Sequence, residues 1–401
     1  MTTAVVTGLG VVAPNGLGIE EFWKSTLDGR SGIAAITRFD ASEYGAELAG
    51  QVTDFEAAWP TPAKLLPQTD VSTRFALAAA EWALSDAAVD PSALVDYDMG
   101  VVTANAFGGF EFTHRELSKL WSKGGQHVSV YESFAWFYAV NTGQISIRHG
   151  LRGPSKALVA EQAGGLDAIG HARRTLRDGT GLVVTGGVDS ALDPWGWASQ
   201  LSGGRVSPTA YRPFDVHANG YLPGEGGAIL VVEDVDAARR RGVGRIYGEI
   251  AGYATTFDPA PGSPRPPGLR RAVELALADA GLAPGDVDVV FADAAGVPEL
   301  DRQEAEAIAG VFGPSGVPVT APKTLTGRLY SGGGPLDVVA ALLSVRDGVI
   351  PATAGVVDLP DDHPIDLVRG EPRYRTVSNA LVLARGKWGF NAAIVVRAHN
   401  G

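Results

Sequence analysis

The feature that most constrains this chain is an internal repeat. Two Ala-rich helical stretches, Thr73–Ala88 and Gly268–Ala280, close on nearly the same phrase, Leu84-Ser-Asp-Ala and Leu277-Ala-Asp-Ala, and each leads through a Pro-containing turn into an apolar strand. A second pair follows in the same order: the stretches beginning at Leu166-Asp-Ala-Ile and Leu336-Asp-Val-Val both come after a glycine cluster and end in Arg-Asp-Gly. Chance likeness between Ala-rich helices accounts for one such pair. Two pairs in one order, at unequal spacing, are what diverged copies with loop insertions leave behind.

Around these helices lie short apolar runs of strand character: Ala4–Thr7, Gly100–Thr103, Leu182–Thr185, Ala228–Val232, Val287–Ala292, Ala380–Leu383 and Ala392–Val396. Alternating strands and helices define an α/β chain. With 401 residues, 45% of them hydrophobic, it has material for one large duplicated unit with a real core. The run Glu233–Gly242 marks the junction, giving an N-terminal half over 1–240 and a C-terminal half over 241–401. Asp258–Pro267 reads as a surface loop, and the triplet Arg239–Arg241 as a solvated helix end.

Several function classes drop out. The chain has no cysteine, which removes thiolate metal sites, disulfides and a thiol nucleophile, so any thioester relay must use a residue of another chain. A net charge of -12 argues against nucleic acid as a partner. No long apolar stretch reaches membrane-spanning length, and the start at Met1-Thr-Thr-Ala lacks the marks of a secretory signal, so the expected location is the cytoplasm, with no membrane partner. Gly8-Leu-Gly10 opens like a dinucleotide fingerprint, but Pro14-Asn-Gly16 turns where the third glycine belongs. The seven histidines show no metal-ligand spacing, so no metal is expected.

The informative segment is Pro154-Ser-Lys-Ala-Leu-Val-Ala-Glu-Gln162-Ala-Gly-Gly-Leu-Asp. A β-prone run, a sharp turn of small residues and an amphipathic helix make an elbow of the kind that mounts nucleophiles, because the helix N-terminus offers free N–H groups. Here the elbow carries Gln162. A carboxamide is neither nucleophile nor base near neutral pH. On these residues alone, a polar group capping a helix start explains it better than a functional one does.

Four segments together carry a resemblance over essentially the whole chain: Thr7-Gly-Leu-Gly-Val-Val-Ala-Pro-Asn-Gly16, the elbow, Pro213-Phe-Asp with Gly220-Tyr-Leu-Pro-Gly-Glu-Gly-Gly227, and Lys323-Thr-Leu-Thr-Gly327. They resemble β-ketoacyl synthases of the thiolase fold, and Glu161-Gln162-Ala-Gly-Gly-Leu-Asp is similar to the chain length factors, or ketosynthase β subunits, of bacterial type II aromatic polyketide synthases. The resemblance implies a layered αβαβα architecture of two duplicated halves. It also implies that Gln162 stands where active ketosynthases carry cysteine, Asp293 and Arg328 where they carry two histidines, and Lys323 where they keep lysine. The glycine loop of active enzymes reads Gly386-Lys387-Trp388-Gly389, which departs from Gly-Phe-Gly-Gly and puts the usual oxyanion geometry in question.

The expected function is therefore that of a non-condensing subunit. It would pair with a ketosynthase α subunit, need no cofactor of its own, and meet substrates on the phosphopantetheine arm of an acyl carrier protein that docks mainly on the partner. The resemblance places the chain-length gate at Phe110, Thr113 and Leu117, at i, i+3 and i+7 of one helix, together with Trp195; periodicity alone reads an ordinary packed helix. A second reading makes the chain a malonyl-carrier-protein decarboxylase working through Gln162. A third is a homodimeric acyl-binding protein. Loss of both histidines predicts an Asp293–Arg328 ion pair, because a lone buried charge at either position would be costly.

Overall fold

The structure is a computed structural model that describes residues 2–260 and 262–399. The strands along its main sheet are β1 (Ala4–Ala13), β2 (Met99–Ala104), β3 (Ser155–Leu158), β4 (Leu182–Asp189), β5 (Gly226–Asp234), β6 (Gly248–Phe257), β7 (Val289–Phe291), β8 (Pro318–Thr320), β9 (Asp366–Leu367), β10 (Asn379–Gly386) and β11 (Phe390–Arg397). The helices that matter for the site are α1 (Val71–Asp86), α2 (Phe110–Lys123), α3 (Val140–His149), α4 (Gly164–Arg177), α5 (Pro194–Leu201), α6 (Leu269–Ala280), α7 (Pro298–Phe312) and α8 (Gly333–Asp347).

The 12-stranded sheet runs β9-β8-β7-β10-β11-β6-β1-β5-β4-β2-β3, with Gly16–Leu17 paired to β1 outside that path. Its two parts repeat one scheme. In the first, β3-β2-β4 are parallel while β5 and β1 add antiparallel. In the second, β8-β7-β10 are parallel while β11 and β6 add antiparallel. The parts meet where β1 pairs antiparallel with β6.

The sequence repeat has a physical cause. Asp86, at the end of α1, accepts the N–H of Leu9 at 3.0 Å, and Asp279, in the matching place on α6, accepts that of Tyr253 at 2.9 Å. Beside each acceptor a strand glycine touches the helix. A Cβ on Gly8 would fall 2.2 Å from the Ala83 carbonyl oxygen, and one on Gly252 would fall 2.2 Å from that of Ala276. Both contacts sit at a break in strand register. The Leu-x-Asp-Ala phrase and its strand glycine thus form one helix-on-sheet clasp used twice.

Layering follows from where apolar residues lie on each helix. α8 is buried on every side from Gly333 to Ser344, the pattern of a central helix. It packs with α4 in a core shared by strands of both parts, including Leu9, Val183 and Leu230 from one and Phe291, Val382 and Ile394 from the other. α1 covers the outer face of the first part and α6 and α7 that of the second. The result is the expected αβαβα stack.

Two local expectations change. The run Val287–Ala292 yields a strand only over Val289–Phe291. Of the basic triplet, Arg239 and Arg240 are exposed, but Arg241 turns inward and binds buried Glu233 at 2.7 and 2.8 Å. In the loop expected over Asp258–Pro267, Pro261 lies outside the described residues, and Asp258 anchors the rest by accepting the Gly268 N–H at 2.6 Å.

Candidate functional site: an elbow without a nucleophile

The elbow forms as the sequence implies. β3 delivers the chain through Val159 and Ala160 into a single tight turn, Glu161–Ala163, from which α4 starts at Gly164. Gln162 is 1% exposed and neither atom of its amide has a hydrogen-bond partner among the described residues. The amide lies against the start of α8, where a Cβ on Gly333 would come within 2.5 Å of Nε2. Its backbone N–H is engaged, donating to Glu161 Oε2 at 3.0 Å.

Asp293 follows β7 and is wholly buried. Arg328 meets it with two nitrogens: Nη2 lies 3.0 Å from Oδ1 and 3.2 Å from Oδ2, and Nη1 donates to the Asp293 carbonyl at 2.8 Å. The N–H of Arg385, at the end of β10, closes on the same carboxylate at 2.8 Å. Burial opposes ionisation of Asp293, but the charges of Arg328, Lys323 and Arg385 outweigh it and hold the carboxyl below its ordinary range. The expected ion pair is present, and the Arg328 guanidinium faces Asp293.

Lys323 is buried one step behind. Its ammonium donates to the Ala292 carbonyl at 2.6 Å and forms an ion pair with Asp337, 2.7 Å from Oδ2. Burial still dominates Asp337, whose carboxyl is pushed up to about 6. Behind Asp293, Glu304 accepts the N–H groups of Asp293 and Ala294 at 2.7 and 2.8 Å. Burial first, then the Asp293 charge, raises Glu304 above the usual carboxylate range.

These groups back onto a pocket of about 990 Å³ whose walls include Phe107, Glu161, Asp293, Arg328, Tyr330 and the hairpin Gly386–Gly389. Gln162 and Lys323 do not line it. In the hairpin, Trp388 adopts a left-handed backbone (φ 68°) and stands 74% exposed, with the Lys387 ammonium 5.2 Å from its ring centre.

The four residues expected to form the gate lie elsewhere. Phe110 opens α2; its ring is 5.0 Å from Trp195 on α5 and 5.8 Å from Phe107, which in turn packs 4.5 Å from Tyr330. Phe110, Thr113 and Leu117 are all half-buried, and Trp195 is 40% exposed. Within this chain none of the four lines the pocket. An aromatic run connects them to it. The pair His114–Asp193, at 2.7 Å, ties α2 to the start of α5, with Asp193 also capping the Gly196 N–H. His114 was visible only as one scattered histidine, Glu161 only as a member of the elbow motif with no role of its own, and Tyr330 and Arg385 carried no sequence signal beyond their nearness to motif residues.

The geometry is that of a pocket beside an elbow whose side chain is no nucleophile, with a buried ion pair in its wall. Residues 1–238 match the β-ketoacyl synthase N-terminal domain and 247–357 the C-terminal domain, so the chain belongs to the β-ketoacyl synthase family. It is 68% identical over 400 residues to the actinorhodin polyketide β-ketoacyl synthase 2 of Streptomyces coelicolor, covering 98% of each chain. It is 58% identical over 401 residues to the tetracenomycin polyketide synthase ketoacyl synthase β subunit of Streptomyces glaucescens, again covering 98% of each. Among solved structures it is similar to the ishigamide ketosynthase/chain length factor, at a TM-score of 0.91, 27% identity and full coverage of both chains. A type II polyketide synthase ketosynthase in complex with its acyl-carrier protein also matches, at a TM-score of 0.89 and 26% identity over 99% of this chain and 100% of that one. Within the family this chain falls with the ketosynthase β subunits, the chain length factors. Among the described residues no helix is long and apolar enough to cross a membrane.

Proposed function

We propose that this chain is the non-condensing partner of a ketosynthase α subunit and that it sets polyketide length by shaping the tunnel between the two subunits. The observation that carries this reading is the state of the elbow. The residue in the nucleophile's place, Gln162, has its side chain buried away from the pocket, and the two positions of the catalytic histidines hold an ion pair. Acyl transfer needs a nucleophile, and decarboxylation needs free donors for a developing enolate. The pair satisfies Arg328 internally, which counts against decarboxylation through Gln162.

Pairing has a surface to use. β3 ends the sheet with Ser155 and Lys156 exposed, and a strand edge of this kind invites another strand. Beside it, Val159, Trp136, Phe137 and Tyr138 are between 37% and 52% exposed, an apolar content suited to a permanent interface. The chain needs no cofactor of its own in this role. Substrates arrive on the phosphopantetheine arm of an acyl carrier protein, which docks mainly on the partner because this chain is acidic.

The test is the mass of the product made when this chain is co-expressed with a ketosynthase α subunit, carrier protein and malonyl donor. Phe110→Ala is expected to lengthen it. Unchanged length at undiminished yield would remove Phe110 from the tunnel floor.

A further inference from the structure

The Glu161 carboxylate has an unusual position. Its Oε2 accepts two backbone N–H groups from different parts of the chain, Gln162 at 3.0 Å and Lys387 at 2.7 Å. One donor belongs to the elbow and the other to the hairpin between β10 and β11. Two N–H groups converging on one oxygen at these distances, beside a pocket, form the arrangement that binds the oxygen of a thioester carbonyl or a small carboxylate. Here the chain fills it with its own side chain.

We propose that Glu161 is an internal ligand: it occupies the two-donor oxygen site of this chain's pocket and so excludes acyl thioesters from it, leaving the partner subunit as the only acyl acceptor. The proposal deepens the non-condensing reading and rests on it for the partner's role.

Three observations support it. Glu161 lines the pocket, so the plugged site opens onto the space a ligand would enter. Its backbone is left-handed, φ 50°, a conformation that a residue with a side chain adopts only when its surroundings enforce it. The hairpin also comes close enough to reach the carboxylate only because residue 386 is glycine. A Cβ there would fall 2.6 Å from the Ala160 carbonyl oxygen and 3.3 Å from Glu161 Oε2. A charged carboxylate makes stronger hydrogen bonds than a neutral thioester carbonyl, and one tethered in place meets no entropy cost of binding, so the internal ligand prevails.

The experiment uses the co-expressed complex with the α subunit's thiol alkylated by iodoacetamide, titrated calorimetrically with S-acetyl-pantetheine and, separately, with malonate. Glu161→Ala is expected to bind at least about tenfold more tightly than wild type, a change of ~1.4 kcal/mol. The amides of Gln162 and Lys387 should also exchange hydrogen faster in the free variant and be protected again by the probe. Glu161→Gln, which keeps an uncharged acceptor, should gain less. Equal weak binding by wild type and a co-purifying Glu161→Ala complex overturns the proposal. If Glu161→Ala does not assemble, Glu161→Gln decides by the same comparison, a gain supporting and no gain refuting. Chain-length control is read separately, from product mass with the unalkylated partner, so either idea can fail alone.

Discussion

Arg328 closes on Asp293 with both terminal guanidinium nitrogens, and the pair has almost no contact with solvent: the carboxylate is wholly buried and the arginine 6% exposed. The two positions that the resemblance matches to histidines of active ketosynthases hold one self-satisfied unit. Its charge is spent inside the protein, unlike that of a catalytic group held ready for substrate.

Losses from removing the two partners should therefore not add. Arg328→Ala leaves a buried carboxylate unpaired and is expected to cost about 3–5 kcal/mol. Asp293→Ala combined with Arg328→Ala should cost less than the sum of the single changes, with a coupling of about 1–3 kcal/mol. Urea unfolding of the four proteins measures it, and additive losses would mean that the pair acts as two independent contacts. Because the Asp293 carboxyl is depressed, the pair's stability is fully present above the unfolded value near ~4 and is lost only as pH falls below it.

Other buried carboxyls carry the opposite sign and dominate nearer neutrality. Burial pushes Asp301 up to about 8 and Asp189 up to about 7, although each accepts backbone N–H groups. Between ~4 and these raised values each folded-state carboxyl keeps a proton that unfolding releases, so stability falls as pH rises toward the folded values. The melting temperature should drop between pH 6 and pH 8, and Asp301→Asn should flatten that slope. A melting temperature that climbs over this range would contradict the assignment.

Much of this was legible in the sequence, for definite reasons. The duplication could be read because the Asp86 and Asp279 clasps need the same residues at the same places, so drift could not erase them. The Asp293–Arg328 pair could be read because two compensating charges stood at two motif positions. The role of Glu161 could not, since its second donor, Lys387, arrives from a hairpin more than half the chain away. Nor could the separation of Phe110 from the pocket, because helical spacing tells which residues share a face and not what that face meets.

Gln162 gives a third prediction. Its two amide atoms are buried without partners, so Gln162→Met, similar in shape and apolar, should stabilise the chain by about 1 kcal/mol. Gly333→Ala should cost about 1–3 kcal/mol by pressing a methyl group on the same amide, and Gln162→Ala in the same chain should relieve much of that loss. Thermal melts of the singles and the double decide the matter. No relief in the double would place the clash elsewhere.

The strand edge makes a fourth. The Pro154 and Leu158 carbonyls accept the N–H groups of Val101 on β2 and of Asn105 just past its end, so by alternation the N–H of Ala157 points away from the sheet. Ala157→Pro deletes that outward donor and spares the inner ladder. Co-purification with the α subunit should fall sharply while the far-ultraviolet circular dichroism of this chain stays unchanged. Intact co-purification would show that pairing does not use this edge.

The last concerns Trp195, which closes the aromatic run at its exposed end. Its ring stacks on Phe110 at 5.0 Å with a 41° tilt, and Phe110 in turn leans on Phe107 edge-on. Taking the indole away removes one of the two aromatic rings paired with Phe110, and a ring without its neighbour samples rotamers that packing had excluded. If Phe110 is the floor of the tunnel, Trp195→Ala should broaden the product distribution toward longer chains without abolishing synthesis. Phe107→Ala, which disturbs the wall at Tyr330, should lower yield more than it shifts length. Mass spectrometry of the products separates the two effects. An unshifted distribution at full yield from Trp195→Ala would mean that Phe110 is positioned without the indole, and the gate would then have to lie at Thr113 and Leu117.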